Sequence, residues 1–102
     1  MKESRYSVFF TREAKRNIER LDPSIRGVIQ KAIESLAVNP AKGKRLSYDL
    51  SSLRSLRTTD YRIIYRLKER QLIVLVIAVG HRQEIYQRLK ELLSHMSSLP
   101  EK

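Results

Sequence analysis

Hydrophobic positions in the first 21 residues follow two different periods. The stretch RYSVFF (Arg5–Phe10) is short, aromatic and β-branched, which is typical of a strand. Ala14, Ile18 and Leu21 then recur at i, i+4 and i+7, the spacing of one apolar stripe on a helix. Thr11 directly precedes this stripe and is suited to cap the helix with its hydroxyl group. The chain is therefore predicted to begin with a strand followed by a short helix.

A second helix is predicted after the turn LDPS. Asp22 is placed to cap it, and Pro23 takes the first helical position, where a missing N–H has no consequence. Positions at helical spacing form its apolar face: Ile25, Val28, Ile29, Ala32, Ile33 and Leu36. The pair Asn39-Pro40 ends the helix, because proline disfavours helical backbone in the residue before it. Two helices joined by a tight turn form a helical hairpin.

Three strands are predicted in the second half of the chain. Leu53–Arg57 is a short candidate. Tyr61–Leu67 alternates, with Arg62 and Arg66 on one face and the two tyrosines on the other. After the turn KERQ comes Leu72–Val79, an uninterrupted apolar run that is typical of a central strand covered on both faces. A basic loop, AKGKRLS, precedes these strands.

The last predicted element is a helix, in which Ile85, Leu89 and Leu92 repeat at helical spacing. The complete order is β-α-α-β-β-β-α. This order predicts a small α+β domain with a mainly antiparallel sheet and the helical hairpin on one face. A single domain is expected over residues 1–102, with a loose tail over about residues 94–102.

Positive charge is the strongest signal in the composition. The 102 residues include 21 Lys and Arg against 11 Asp and Glu, a formal net charge of +10. Nine of these cations and three acidic residues fall within residues 42–70. The sheet face that carries Arg62 and Arg66 is therefore expected to be basic and partly open. Such clustering favours a polyanion or an acidic protein as partner over a merely solvated surface.

Composition also bears on the compartment. The chain has no Cys, which fits a reducing environment. The stretch MKESRYSVFF lacks the apolar region of a signal peptide, and an apolar run of eight residues is too short to cross a bilayer. A cytoplasmic protein that does not enter the membrane is expected.

The stretch VGHRQEIY brings His81, Arg82 and Tyr86 to the exit of the most buried predicted strand. No metal-ligand cluster or glycine-rich phosphate loop accompanies them, so neither a metal nor a cofactor is expected. These residue types suit transesterification within RNA, in which a 2′-hydroxyl attacks the adjacent phosphate. Arginine stabilises the growing phosphate charge, histidine exchanges protons near neutral pH, and tyrosine stacks on an unpaired base or donates a proton.

Two sets of candidate residues follow from this chemistry, although each residue taken singly also has an ordinary structural explanation. The candidate catalytic residues are Arg57, Arg62, His81, Arg82 and Tyr86. The candidate RNA-binding residues are Lys44, Arg45, Arg54 and Arg66.

The stretches LRSLRTTDYRIIYRL and LIVLVIAVGHRQEIY, within residues 53–86, resemble the RelE family of toxins from type II toxin–antitoxin modules. The resemblance covers nearly the whole chain, and DYRIIY and VGHR with the following IY are its specific parts. The helical hairpin is shared with the wider RelE/ParE superfamily. The resemblance implies an endoribonuclease that enters the ribosomal A site and cuts mRNA there, leaving a 2′,3′-cyclic phosphate. It also implies silencing by a cognate acidic, RelB-like antitoxin that wraps the toxin.

Residue roles implied by the resemblance follow the motifs. Arg62 of DYR and Arg82 of VGHR match arginines that contact or protonate at the scissile phosphate. Tyr86 matches a tyrosine that stacks on an mRNA base, and Arg57 matches a basic position upstream of DYR.

The general base is left open by the resemblance. The best-studied kind of RelE has two lysines on the strand before DYR, one of them credited as the base, where this chain has Leu53 and Ser55. The base is then either His81, or Lys44 or Arg45 from the basic loop. Weak cleavage without such a base is a third alternative.

Two other functions share the same fold and charge. A ParE-like toxin poisons DNA gyrase and catalyses nothing, and the RelE-type VGHR and IY pieces argue against it. An inactive module that binds only an antitoxin is consistent with the missing lysines.

Overall fold

The hydrophobic pattern folds into a five-stranded sheet with three helices in a computed structural model, which describes residues 5–46 and 52–97. The elements are β1 (Ser7–Phe10), α1 (Arg12–Glu19), α2 (Pro23–Val38), β2 (Lys44–Arg45), β3 (Leu53–Thr58), β4 (Tyr61–Lys68), β5 (Ile73–His81) and α3 (Ile85–Ser97). The strand order is β1-β5-β4-β3-β2. Strand β1 runs parallel to β5, and the other neighbours are antiparallel. The predicted α+β class with a mainly antiparallel sheet is confirmed.

The predicted basic loop contains more regular structure than expected. A single 3₁₀ turn (Pro40–Lys42) comes first, and β2 follows, in which Lys44 and Arg45 pair with Ser55 and Arg54 of β3. The element order is therefore β-α-α-β-β-β-β-α. A strand of two residues has no period of its own, so the pattern of the sequence does not reveal it.

Both hairpin helices start directly after the residue predicted to cap them. The Thr11 cap is confirmed, because its Oγ1 accepts a hydrogen bond from the Ala14 N–H at 3.1 Å. Asp22 takes the N-cap position of α2, but its side chain makes no capping bond, so the cap prediction is correct only in position. Pro23 presets the helical φ at this start, and the Asp22 carbonyl accepts the first backbone bond.

The last helix extends into the segment that the sequence marks as a loose tail. Helix α3 continues to Ser97, because no glycine or proline interrupts it before Pro100. The remainder of that predicted tail, residues 98–102, lies outside the described residues. Within residues 5–46 and 52–97, no helix has the length and apolar character needed to cross a membrane.

Two cores form, one on each face of the sheet. The helical hairpin packs on one face, in a core of Ala14, Ile18, Ile29, Ile33, Leu36, Leu56, Ile63, Tyr65, Val74, Val76 and Val79. Helix α3 packs on the other face, in a core of Leu53, Ile64, Ile77, Ala78, Ile85 and Leu89. The prediction that the long apolar run is a central strand covered on both faces is confirmed.

A bulge in β5 decides which face each residue at the exit of this strand occupies. The pairing with β4 skips Ile77, so that Ile77 and Ala78 both belong to the core under α3. The alternation is reversed beyond this point, and His81 lies beside Tyr61 with the ring centroids 5.7 Å apart. Tyr61 packs against the hairpin core. Without the bulge, alternation would put His81 on the α3 face, the face of Arg62.

Side chains of the α1 region close the edge of β5 beyond the end of β1. The Thr11 hydroxyl donates to the Ile77 carbonyl at 2.7 Å, and the Asn17 Oδ1 accepts from the Val79 N–H at 2.9 Å. These bonds replace the strand partner that this edge lacks, since buried backbone groups need a hydrogen-bond partner.

Candidate functional site

An open cleft of about 520 Å³ lies where β2, β3 and β4 meet the first turn of α3. The described residues that line it include five cations and no acidic residue: Lys42, Lys44, Arg45, Arg57 and Arg62. Within the described part of the chain, none of the five forms an ion pair. Positive charge that the protein leaves uncompensated in a concave site attracts anionic ligands.

The most informative residue of this cleft is Arg62. Its Cα pairs directly with that of Arg57 across β3 and β4, so the two guanidinium groups start from neighbouring positions. The Nη1 atom of Arg62 is shielded from solvent and has no hydrogen-bond partner among the described residues. A buried, unpaired donor is destabilising for the free protein. Phosphate and carboxylate oxygens are the acceptors that match a guanidinium.

Tyr86 lines the same cleft from α3. Its hydroxyl lies 3.2 Å from the Ser55 hydroxyl on β3, and the ring is half-buried. From the sequence, Ser55 was noted only at the position of a missing lysine and was not predicted as a cleft residue. Leu53, Ser55 and Arg57 lie on one face of β3, because side chains of a strand alternate between its two faces. This alternation is the sequence signal that could have placed Ser55 beside Arg57.

Two of the predicted catalytic residues lie outside this cleft. Arg82 is in the turn after β5, where its Nε is 3.8 Å from the Asp60 carboxylate and its side chain is 48% exposed. His81 lines a second cleft, of about 280 Å³, between α1 and the start of α3. There its Nδ1 accepts from the Gln83 N–H at 3.3 Å. The structure thus brings Arg57, Arg62 and Tyr86 together and leaves His81 and Arg82 apart from them.

The predicted RNA-binding residues divide in the same way. Lys44 and Arg45 line the cleft. Arg54 instead donates from Nη1 to the Gly43 carbonyl at 2.7 Å, so this group is engaged within the protein. Arg66 is not part of the cleft lining, and its Nε is buried without a partner among the described residues.

The wall of the cleft is held by Tyr65, which the alternation of the sequence placed on one face of its strand without a further role. The buried Tyr65 hydroxyl donates to the Pro40 carbonyl at 2.6 Å and accepts from the Gly43 N–H at 2.9 Å. Burial raises the pKa of the Tyr65 phenol above its ordinary value, so the phenol keeps its proton. Together with Arg54, this side chain fixes the segment that leads into β2.

The candidate general bases lie on different faces of the sheet. Lys44 and Arg45 border the cleft, whereas His81 lies on the opposite face of the sheet. Lys44 is the cross-strand partner of Ser55. Directly paired Cβ atoms are about 5 Å apart, so a lysine on β2 reaches the space beside Ser55.

In the two described ranges, residues 5–46 and 52–97, no three His, Cys, Asp or Glu side chains come together as a metal site.

Fold and cleft together define the class of protein. A family model for the ParE toxin of the type II toxin–antitoxin system parDE matches residues 8–86. The chain therefore belongs to the RelE/ParE superfamily of type II toxin–antitoxin toxins.

Particular relatives are found on the RelE side of this superfamily. Toxin RelG of Mycobacterium tuberculosis is 35% identical over 85 residues, which cover 81% of this chain and 98% of RelG. A chain of the toxin–antitoxin complex RelBE2 from Mycobacterium tuberculosis superposes with a TM-score of 0.70 at 32% identity, covering 79% of this chain and 95% of that one. The resemblance to RelE toxins is thereby confirmed.

The fold alone does not separate the two branches. A chain of the chromosomal ParDE system from Pseudomonas aeruginosa superposes with a TM-score of 0.61 at 13% identity, covering 78% of this chain and 98% of that one. At that identity the match shows the shared fold and nothing about activity.

Gly43 tests how tightly the cleft wall is built. A Cβ at this position would lie 2.8 Å from the Tyr65 hydroxyl and 3.0 Å from the Ser55 carbonyl oxygen. We expect Gly43→Ala to lower the free energy of unfolding by about 1–3 kcal/mol, the usual effect of overpacking. Gly27→Ala is the matched control, because its Cβ meets no atom within 4 Å. Because Gly27 lies inside α2, Gly27→Ala should raise the free energy of unfolding by about 0.5–1 kcal/mol. Urea unfolding measures both, and equal effects of the two substitutions would contradict this account of the wall.

Proposed function

We propose that this protein is an mRNA endonuclease of the RelE type, which acts in the ribosomal A site and thereby inhibits translation. The observation that carries this proposal is the buried Nη1 of Arg62, which has no partner among the described residues and belongs to a cleft whose described lining contains no acidic side chain. Arg57 and Tyr86, which border the same cleft, supply a second phosphate ligand and an aromatic ring. The 35% identity to toxin RelG supports the RelE branch.

The reaction is a transesterification within RNA. The 2′-oxygen bonds to the adjacent phosphorus, the bond from phosphorus to the 5′-oxygen breaks, and the products carry a 2′,3′-cyclic phosphate and a 5′-hydroxyl. Arg62 and Arg57 bind the nonbridging oxygens, whose negative charge grows in the transition state. Tyr86 stacks on a base and so holds the scissile nucleotide at a fixed distance from the arginines.

We assign the removal of the 2′-proton to the uncharged amine form of Lys44, which becomes an ammonium group in this step. Lys44 is the cross-strand partner of Ser55, which stands where the best-studied RelE has a lysine. The amine thus enters from the neighbouring strand and occupies the same part of the cleft. Protonation of the leaving 5′-oxygen is assigned to Arg82. Its guanidinium is half-exposed and only loosely paired with Asp60 at 3.8 Å, which leaves it free to move onto bound RNA.

The first experiment measures cleavage of mRNA on ribosomes with a defined codon in the A site, with primer extension to locate the cuts. Wild-type protein should cut within the A-site codon only when ribosomes are present. Arg62→Ala should lower the single-turnover rate by at least about 10²-fold, the scale for loss of a preorganised donor. Arg82→Ala should lower it to a similar extent. Arg70→Ala removes an exposed charge outside the cleft and should change the rate less than about threefold. Equal rates for wild type and Arg62→Ala would refute the proposed site.

The assignment of the base is tested by Lys44→Met, which keeps the aliphatic stem and removes the amine. We expect a loss of about 10²-fold or more in the cleavage rate, as for removal of a general base. Lys42→Met is the matched control within the same cleft, because the Lys42 amine donates to the Ser35 hydroxyl at 3.2 Å. A larger loss in the Lys42 variant than in the Lys44 variant would reject Lys44 as the base.

A ParE-like toxin that poisons DNA gyrase is the second candidate, and the match to the ParE family model favours it. Cells that express the protein distinguish the two functions, since stalled translation marks the first and DNA damage the second. DNA damage without any mRNA cleavage on ribosomes would transfer the proposal to gyrase. An absence of both effects, with growth unimpaired, would leave a module that only binds an antitoxin, consistent with Leu53 and Ser55 at the lysine positions.

We further propose that an acidic, RelB-like antitoxin binds this protein and covers the basic cleft. The uncompensated cations of the cleft provide charge complementarity, and the solved relatives include the toxin–antitoxin complex RelBE2. The product of a neighbouring reading frame of acidic composition should co-purify with the toxin and abolish cleavage. Replacing both Arg57 and Arg62 with alanine should weaken the complex at least about tenfold in a titration. Unchanged affinity would place the antitoxin elsewhere.

A further inference from the structure

Side-chain contacts between described residues join helix α3 to β3 on one flank and to α1 on the opposite flank. Tyr86 and Arg88 are two residues apart, which puts them about 200° apart around a helix of 3.6 residues per turn. Tyr86 reaches Ser55 on β3, and Arg88 reaches Glu13 on α1. Between the two flanks, Ile85 packs on the sheet.

The contact on the Arg88 flank is the stronger of the two. Arg88 donates from Nη2 to the Glu13 Oε1 at 2.8 Å and from Nε to its Oε2 at 3.1 Å, a two-pronged pair of charged groups. On the other flank a single bond at 3.2 Å joins the hydroxyls of Tyr86 and Ser55.

The carboxylate that receives Arg88 is itself fixed. Asn17 donates from Nδ2 to the Glu13 Oε2 at 3.0 Å, and its Oδ1 accepts from the Val79 N–H of β5 at 2.9 Å. Glu13 is only 14% exposed. The hydrogen bonds from Arg88 hold the pKa of Glu13 below its ordinary value, so the carboxyl group stays charged at neutral pH.

Burial of Ile85 and Leu89 fixes which face of α3 meets the sheet, but this non-directional interaction resists a small roll of the helix less than a directional contact does. A group at the helix surface lies about 5–6 Å from the axis, so a roll of about 10° moves it by about 1 Å. A displacement of about 1 Å at a reacting centre can lower a rate about 10²-fold.

We propose that the ion pair between Glu13 and Arg88 sets the roll of α3 and thereby positions Tyr86 in the cleft. Glu13 and Arg88 are then positioning residues, remote from the phosphate and acting through Tyr86. This inference rests on the proposed function in one respect, namely that Tyr86 acts on RNA in this cleft.

The test compares Glu13→Gln with Glu91→Gln. Glu91 is the second carboxylate bound to Arg88, at 3.1 Å, but it belongs to α3 itself and cannot fix the roll of that helix. Glu13→Gln should lower the maximal single-turnover cleavage rate at least about tenfold, with the half-saturating concentration changed less than about threefold. Glu91→Gln should change both quantities less than about twofold.

A double-mutant cycle separates positioning from general stability. If Glu13 acts through Tyr86, then Glu13→Gln should have no further effect in protein that already carries Tyr86→Ala. Multiplicative losses in the double variant would overturn the proposal. In a Glu91→Gln background, the two charges can be exchanged by combining Glu13→Arg with Arg88→Glu. This exchange should recover at least half of the cleavage rate that Glu13→Arg alone loses. No recovery would count against the ion pair.

A structural readout keeps this test independent of cleavage. In the free protein, the NMR contact between the Tyr86 ring and the Ser55 side chain should weaken in Glu13→Gln and persist in Glu91→Gln. An unchanged contact in Glu13→Gln would refute the positioning role. Wild-type protein that cuts no RNA would instead refute the proposed function, and the NMR comparison would still decide what fixes α3.

Discussion

The rest of the structure depends on β5 being covered on both faces. The hairpin helices pack on one side of this strand and α3 on the other, so that Val74, Val76, Ile77 and Ala78 are all buried. A strand buried in this way is a rigid support, because a shift in register would expose apolar side chains or bury polar ones. Everything that follows the strand in sequence, from Arg82 to the first turn of α3, takes its position from it.

Polar groups around the candidate cleft divide into those the fold satisfies and those it leaves open. Tyr65 and Arg54 bind the carbonyl groups of the segment before β2 and leave that segment with one conformation. Arg62, in contrast, keeps a buried donor that has no partner among the described residues. Arg66 has such a donor too, but only that of Arg62 belongs to a residue lining the cleft, which is the reason to regard Arg62 as part of a candidate binding site. Hydrogen bonds therefore hold the wall of the cleft, whereas a donor of Arg62 is left unsatisfied within the described part of the chain.

Much of the fold could be predicted from the sequence, because its main elements have strong periods. The long apolar run and the alternation in Tyr61–Leu67 specified the centre of the sheet, and the helical spacing specified the hairpin. The grouping of Arg57, Arg62 and Tyr86 was also predictable, since neighbouring strands and the following helix bring them together. The features that could not be predicted from the sequence are local irregularities of the sheet. The bulge at Ile77 leaves no pattern in a run where every residue is apolar, yet it reverses the face of everything after it.

The position of His81 shows why the extra residue at Ile77 matters. From its type and its position after the strand, histidine was a reasonable proton carrier beside the arginines. The bulge turns it to the opposite face, where its ring lies against Tyr61 and its Nδ1 accepts from the Gln83 N–H. Lys44 lies in β2, a strand too short to leave a pattern in the sequence, and its pairing with β3 places it opposite Ser55. Two small irregularities of the sheet therefore hold His81 away from the cleft and bring Lys44 to it, which residue type alone could not reveal.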